Sequence, residues 1–203
     1  MVRDDIQLRP ATPDAEEARV FAKHVDQAAD GFLRFLFGKR HLDLLAQAYM
    51  HPAHDLSYEN ATFAIEGNEI VGLVTGYSSE QHRKSTQRPL TKARGFPRLR
   101  TILLGAWCWR MLSFLTRIDD GDFYVMALST EASHQGKGIG SQLLLHLEDR
   151  ATQHGAERLC LDVAHTNDGA RRLYEHKGFF VVGQSPHLPF QRDAFLHRMV
   201  KQL

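Results

Sequence analysis

The chain has 203 residues, with 25 Lys or Arg, 24 Asp or Glu and 12 His, for a formal net charge of +1 at pH 7. Near-neutral charge and 43% hydrophobic content exclude a polyelectrolyte or low-complexity chain and fit one globular domain with its own core. The opening MVRDDIQLRP is polar, and the longest apolar stretch, residues 101–115, is broken by Arg110, so neither a secretory signal nor a membrane span is expected and a cytoplasmic location follows.

In chain order, residues 6–9 alternate before Pro10 and predict a short strand. Thr12-Pro13-Asp14 reads as a helix start, with Pro at the first helical position, and this helix should run to about Ala29. A dense aromatic cluster, Phe32 to Phe37, precedes a second helix over residues 41–50. Two strands, 60–66 and 69–77, are joined by Gly67-Asn68, a hairpin signal because such turns need positive φ. Residues 81–118 then carry nine Lys or Arg and no Asp or Glu, leaving 16 of the 25 basic residues against all 24 acidic ones elsewhere. This basic insert reads as a solvated connector, or as a surface for an acidic acceptor, nucleic acid, membrane or phosphate. Within it, residues 102–115 predict one helix whose apolar face could pack on a partner subunit to give a homodimer.

Residues 123–128 form an apolar strand, and residues 136–140 alternate glycines (Gly136, Gly138, Gly140) where an amphipathic helix begins with Ile139, Leu143, Leu147 and Ala151. Glycines allow close backbone approach, and the first amides of a helix lack internal partners and favour an anion. The spacing matches neither a P-loop nor a dinucleotide fingerprint. Strand 158–164 follows, and two strands joined by one helix imply a parallel crossover. A short helix spans 167–177, with Asn167 or Thr166 as its cap and Gly178 as its stop. A strand over 179–183, a loop over 184–193 and a last strand over 194–200 complete the chain. Cys108 and Cys160 lack metal-ligand spacing and read as packed reduced thiols; the isolated His51-Pro52-Ala53-His54 makes no metal site, and none is expected elsewhere.

Gln135-x-x-Gly138-x-Gly140 directly after a strand resembles the pyrophosphate loop of the GCN5-related N-acetyltransferases, the GNAT family. A second constellation, Asn167-x-x-Ala170-x-x-Leu173-Tyr174-Glu175-x-x-Gly178-Phe179, resembles the same family's C-terminal motif, in the family's order and separation. The resemblance covers residues 122–183 well, covers the N-terminal half only by element order, and leaves the insert unexplained. It implies an α/β (α+β) fold: a mixed, mostly antiparallel sheet with a central, splayed parallel strand pair and helices on both faces. It also implies acetyl-CoA as cosubstrate and transfer to a primary amine of a small molecule, protein or peptide. The amides of Gln135, Gly136, Lys137, Gly138, Ile139 and Gly140, with Ser141, would hold the pyrophosphate. Leu128 and Thr130 would pair with the pantetheine arm, the Leu128 N–H facing the thioester oxygen. Asn167 would bond the arm or a nearby water, and Tyr174 would protonate the departing thiolate.

An amine of pKa about 10.4 is neutral in only about one molecule in 2,500 at pH 7, so a proton acceptor is needed. Some relatives carry Glu four residues before the Leu128 position, where this chain has Tyr124. Asp122, Glu131, His134, His187 or a water chain remain as candidates. Ala132 replaces a Pro common in relatives, which loosens the turn without removing a catalytic group. The competing function is a catalytically silent acyl-CoA-binding module, against which the retention of Asn167 and Tyr174 weighs. Specific nucleic-acid binding through the insert is not expected, because no recognisable motif accompanies the charge.

Overall fold

A computed structural model describes residues 6–86, 88–188 and 193–203. Part of the expected 184–193 loop, including Pro189, and the first five residues therefore lie outside the described residues. Seven strands form one sheet: β1 (Ile6–Pro10), β2 (Ala61–Glu66), β3 (Glu69–Ser78), β4 (Asp122–Thr130), β5 (Arg158–Ala164), β6 (Phe180–Gln184) and β7 (Leu196–Gln202). Their order is β1-β2-β3-β4-β5-β7-β6, antiparallel throughout except for the central β4–β5 pair. The expected mixed sheet is therefore observed, and the parallel pair arises as the crossover argument requires.

Helices cover both faces. On one, α8 (Ile139–Gln153) buries Ile139, Leu143, Leu144, Leu147 and Ala151 against Phe123, Val125, Leu159, Leu161 and Met199; Tyr174 of α9 (Asp168–His176) and Phe179 join the same core. Removing one such leucine side chain costs about 2–5 kcal/mol. On the other face, α1 (Ala15–Ala28) and α3 (His41–Tyr49) pack Phe21, Ala22, Leu45 and Tyr49 on Phe63, Leu73 and Ala127. The first helix starts two residues later than its Thr-Pro signal suggests. Asp14 caps it by accepting from the Glu16 and Glu17 amides at 2.8 and 3.1 Å, while the Thr12 hydroxyl instead donates to Glu17.

The basic segment forms α4 (Ser79–Lys84), α5 (Arg88–Lys92), α6 (Arg98–Trp107) and α7 (Trp109–Leu115), and it seats Leu90, Phe96 and Leu104 on α2 (Phe32–Phe37) and α3. The single helix expected over 102–115 is broken at Cys108. Its buried thiol donates to the Leu104 carbonyl, and the backbone leaves helical geometry at ψ 20°. The break redirects the chain so that carbonyls at the end of α7 reach β7: Arg198 donates to Phe114 O at 2.8 Å and to Arg117 O.

Candidate active site

The site is built where the central pair stops pairing. β4 and β5 are in register only from Asp122↔Arg158 to Val125↔Leu161, although β4 continues to Thr130 along β3 and β5 to Ala164 along β7. The divergence coincides with a bulge. Thr75 of β3 faces Ala127 and Gly76 faces Val125, leaving Met126 as an extra residue that bends β4. Gly76 permits this approach, since a Cβ there would lie 2.6 Å from the Tyr124 carbonyl oxygen.

Beyond the bulge the backbone polarity follows from alternation. Glu131 N–H donates to Val71 O at 2.9 Å, so in the antiparallel register Ser129 and Ala127 also exchange bonds with β3, while Leu128 and Thr130 direct theirs into the gap. Side chains already exploit one of these groups: Gln27 Nε2 and Gln135 Nε2 lie 3.3 and 3.4 Å from the Thr130 carbonyl oxygen. Expected backbone donors and acceptors at Leu128 and Thr130 are thus oriented away from β3.

At the end of β4 the chain passes through residues 131–135 to the glycines. Gly136 and Gly138 have φ of 74° and 87°, and a Cβ on either would meet nothing within 4 Å, so these glycines serve conformation and leave open space before the loop. Gly138 caps α8 without a side-chain bond. Among the described residues, none of the backbone N–H groups of residues 136–141 donates to a protein acceptor. Six consecutive free amides at a helix N-terminus, with Lys137 among them, form an electropositive cradle for an anion. At Gly140 the loop meets both strand and helix: its Cβ would lie 3.6 Å from Leu173 Cδ2 and 3.9 Å from Thr130 Oγ1. Ile139 faces the other way, into the core.

Tyr174 and Asn167 lie on α9, beside this junction, but do different work. The Tyr174 ring is buried against Phe179, burial pushes its phenol up to about 12, and its hydroxyl has no protein partner among the described residues. Asn167 caps α9 by accepting from the Ala170 amide at 3.0 Å, which occupies one lone pair of its side-chain oxygen and leaves its amide nitrogen for a ligand.

The candidate proton acceptors scatter. Asp122 is buried at the paired end of β4 with Arg158 at 2.7 Å, far along the strand from the gap. His134 faces Glu66 at 2.9 Å, and the His187 ring packs 4.7 Å from Phe195, beside His165 and His197. Tyr124 donates to Asp162 at 3.0 Å, and Arg198 binds the same carboxylate, so this position is locked into a buried network. Glu131 alone stands at the gap's end, and it brings a residue that sequence reasoning missed. His24 of α1, 1% exposed, sets Nδ1 2.9 Å from Ser129 Oγ and Nε2 3.7 Å from Glu131 Oε1, and Nε2 has no hydrogen-bond partner. Burial lowers its pKa, the Glu131 carboxylate opposing. The sequence did hold a signal, since His24 occupies the apolar stripe of α1 between Phe21 and Val25. Asp162 was missed likewise, although a lone carboxylate inside RLCLDVA requires a buried partner.

Among the described residues no group of three or more His, Cys, Asp or Glu side chains is arranged to hold a metal.

Comparison with known proteins places the chain in a family. The model of the acetyltransferase (GNAT) family matches residues 25–179. An uncharacterized N-acetyltransferase of Bacillus subtilis, YsnE, is 28% identical over 123 residues, covering 57% of this chain and 81% of that one. N-alpha-acetyltransferase 40 of Saccharomyces cerevisiae is 35% identical over 101 residues, but the match covers 41% of this chain and only 35% of the yeast protein. A solved N-acetyltransferase of Staphylococcus aureus shares the fold with a TM-score of 0.72 at 21% identity, over 96% of this chain and 99% of that one. The family model spans about three-quarters of the chain, including the free-amide loop and Tyr174, and the chain belongs to the acetyltransferase (GNAT) family.

Proposed function

We propose that this protein is an acetyl-CoA-dependent N-acetyltransferase acting on a primary amine. The observation that carries the reading is the run of free amides at residues 136–141, set directly beyond the strand whose Leu128 and Thr130 backbone faces the gap. The open space before Gly136 and Gly138 fits a pyrophosphate, and an unpaired strand edge fits an amide-bearing arm. When bound, the cosubstrate supplies an activated acetyl thioester, and the net reaction forms a C–N bond, breaks a C–S bond and moves one proton off the amine.

The chain's residues divide that work. The amides of Gly136 to Ser141 and the Lys137 charge hold the phosphates. Leu128 N–H donates to the carbonyl oxygen on which negative charge develops, a contact worth about 2.7–4 kcal/mol at such a site. Tyr174 hydrogen-bonds the leaving sulfur. A phenol held at about 12 yields its proton to a thiolate of ordinary pKa, about 8.5, only uphill, so donation of a hydrogen bond is its first role. On the α1 side of the strand, Ser129, His24 and Glu131 form a relay for the amine proton. With Nδ1–H donating to Ser129 Oγ, the His24 Nε2 lone pair is free, and the Glu131 carboxylate stabilises the imidazolium that forms.

The yeast relative's name makes protein N-termini one acceptor class to test, beside small amines and lysine side chains. Release of free CoA from acetyl-CoA, measured against a panel of amines, amino acids and short peptides, tests the reading. Acceptor-dependent release is expected with at least one class; acetyl-CoA binding without release for any acceptor would leave a binding module.

A further inference from the structure

The basic insert carries an exposed surface outside the site described above. Leu99, Ile102 and Leu103 of α6 are 71%, 67% and 61% exposed, and Trp109 at the start of α7 is 61% exposed. Leu99 with Ile102 and Leu103 follow i, i+3, i+4 spacing and so form one outward stripe. That orientation is fixed from beneath. Arg100 donates to the Phe35 carbonyl at 2.6 Å, Trp107 packs on Phe35 at 5.9 Å, and Leu104 joins the core of α2 and α3. The apolar stripe is therefore held away from the protein by its own inner face.

Cations flank the stripe. Arg98 precedes Ile102 by four residues on the same helix face, Arg110 adjoins Trp109, and Arg94 lies in the turn before α6. All three are exposed, and none forms an ion pair among the described residues. Of the other insert cations, Arg83 pairs with Asp120, Lys84 with Glu80 and Arg117 with Asp119, while Lys92 and Arg100 form no ion pair among the described residues. Unneutralised charge thus lies beside the exposed leucines.

We propose that this face docks the protein on an anionic lipid bilayer, with the stripe in the acyl–headgroup boundary and the arginines on lipid phosphates and carboxylates. Exposed apolar residues rimmed by Arg, with a tryptophan at the edge, match an interfacial amphipathic helix. Charge complementarity selects this occupant over two others. A second copy meeting the same face across a two-fold axis would oppose arginine to arginine. A nucleic acid would satisfy the arginines but leave Leu99, Ile102 and Leu103 against water or phosphate.

The chain's two tryptophans, Trp107 packed beneath the stripe and Trp109 exposed at the start of α7, both belong to this helix pair, so intrinsic fluorescence reports on it. The full chain is mixed with vesicles of phosphatidylcholine alone or with phosphatidylserine, and binding is read by flotation and by a blue shift of emission. Binding with a blue shift is expected for the anionic vesicles only. A variant with Leu99→Ser, Ile102→Ser and Leu103→Ser should lose the shift, and Arg94→Gln, Arg98→Gln and Arg110→Gln together should weaken binding on the order of a hundred-fold, from about fivefold per charge near the surface. Both variants should keep the acetyl-CoA-induced melting shift, which shows that they fold. No binding to anionic vesicles, binding that survives the serine variant, or a dimer or duplex-DNA complex that the serine variant abolishes would each overturn the proposal.

Discussion

Tyr174 and His24 sit on opposite faces of the sheet, and in the proposed reaction one hydrogen-bonds the leaving sulfur while the other takes the amine proton. Replacing Tyr174 by Phe keeps the ring packing on Phe179 and removes only the unpartnered hydroxyl. Turnover should fall by roughly 10²- to 10⁴-fold with little change in acetyl-CoA affinity, measured as kcat against coenzyme Kd. His24 must be neutral to accept a proton, and burial holds its pKa below the usual histidine value, so the acid limb of kcat/KM should rise with pH below about 6.5. His24→Gln, which keeps a polar side chain near Ser129, should flatten that limb and lower kcat; an unchanged profile would return His24 to a packing role. Tyr174 was legible because its motif is local. The Ser129 and His24 pairing was not, because 105 residues separate the partners and only the docking of α1 on β4 joins them.

At the level of elements, the strands and the glycine loop followed from local pattern, since alternation and positive φ are properties of a few neighbouring residues. The gap did not. It depends on the extra residue at Met126, which exists only relative to the register of β3, and no local signal marks it. Gly76 supports the bulge from the facing strand. Gly76→Ala would force a methyl to within 2.6 Å of Tyr124 O and 3.0 Å of the Phe123 ring, a backbone clash that cannot relax by rotation. A loss of roughly 1–3 kcal/mol is expected by urea denaturation, together with reduced acetyl transfer at saturating substrate. The break at Cys108 escaped sequence reading for a similar reason. The apolar periodicity continues through it, and the chain after the break is held by Arg198, about ninety residues from Cys108, which donates to the Phe114 carbonyl while pairing with Asp162.

Across the whole molecule, His24, His54, His146 and His197 are all held below the ordinary histidine range, in each case first by burial. The unfolded chain therefore binds more protons than the fold as pH drops through about 6.5, so stability should be level above about pH 7.5 and fall toward pH 5.5. Asp122 and Asp162, raised by burial, act in the opposite sense at lower pH. A urea midpoint that does not move between these pH values would contradict the assignment of neutral buried histidines. The proposed hold of the residue 136–141 amides on the pyrophosphate of acetyl-CoA is decided by the melting temperature with and without acetyl-CoA, for the unaltered chain and for Gly138→Asp. Ligand at about 100 times its dissociation constant should add about 2.7 kcal/mol of stability to the unaltered chain. The aspartate, placed in the open space before the loop with charge of the phosphates' own sign, should abolish that gain; no gain at millimolar acetyl-CoA, or an equal gain in the variant, would contradict the claim.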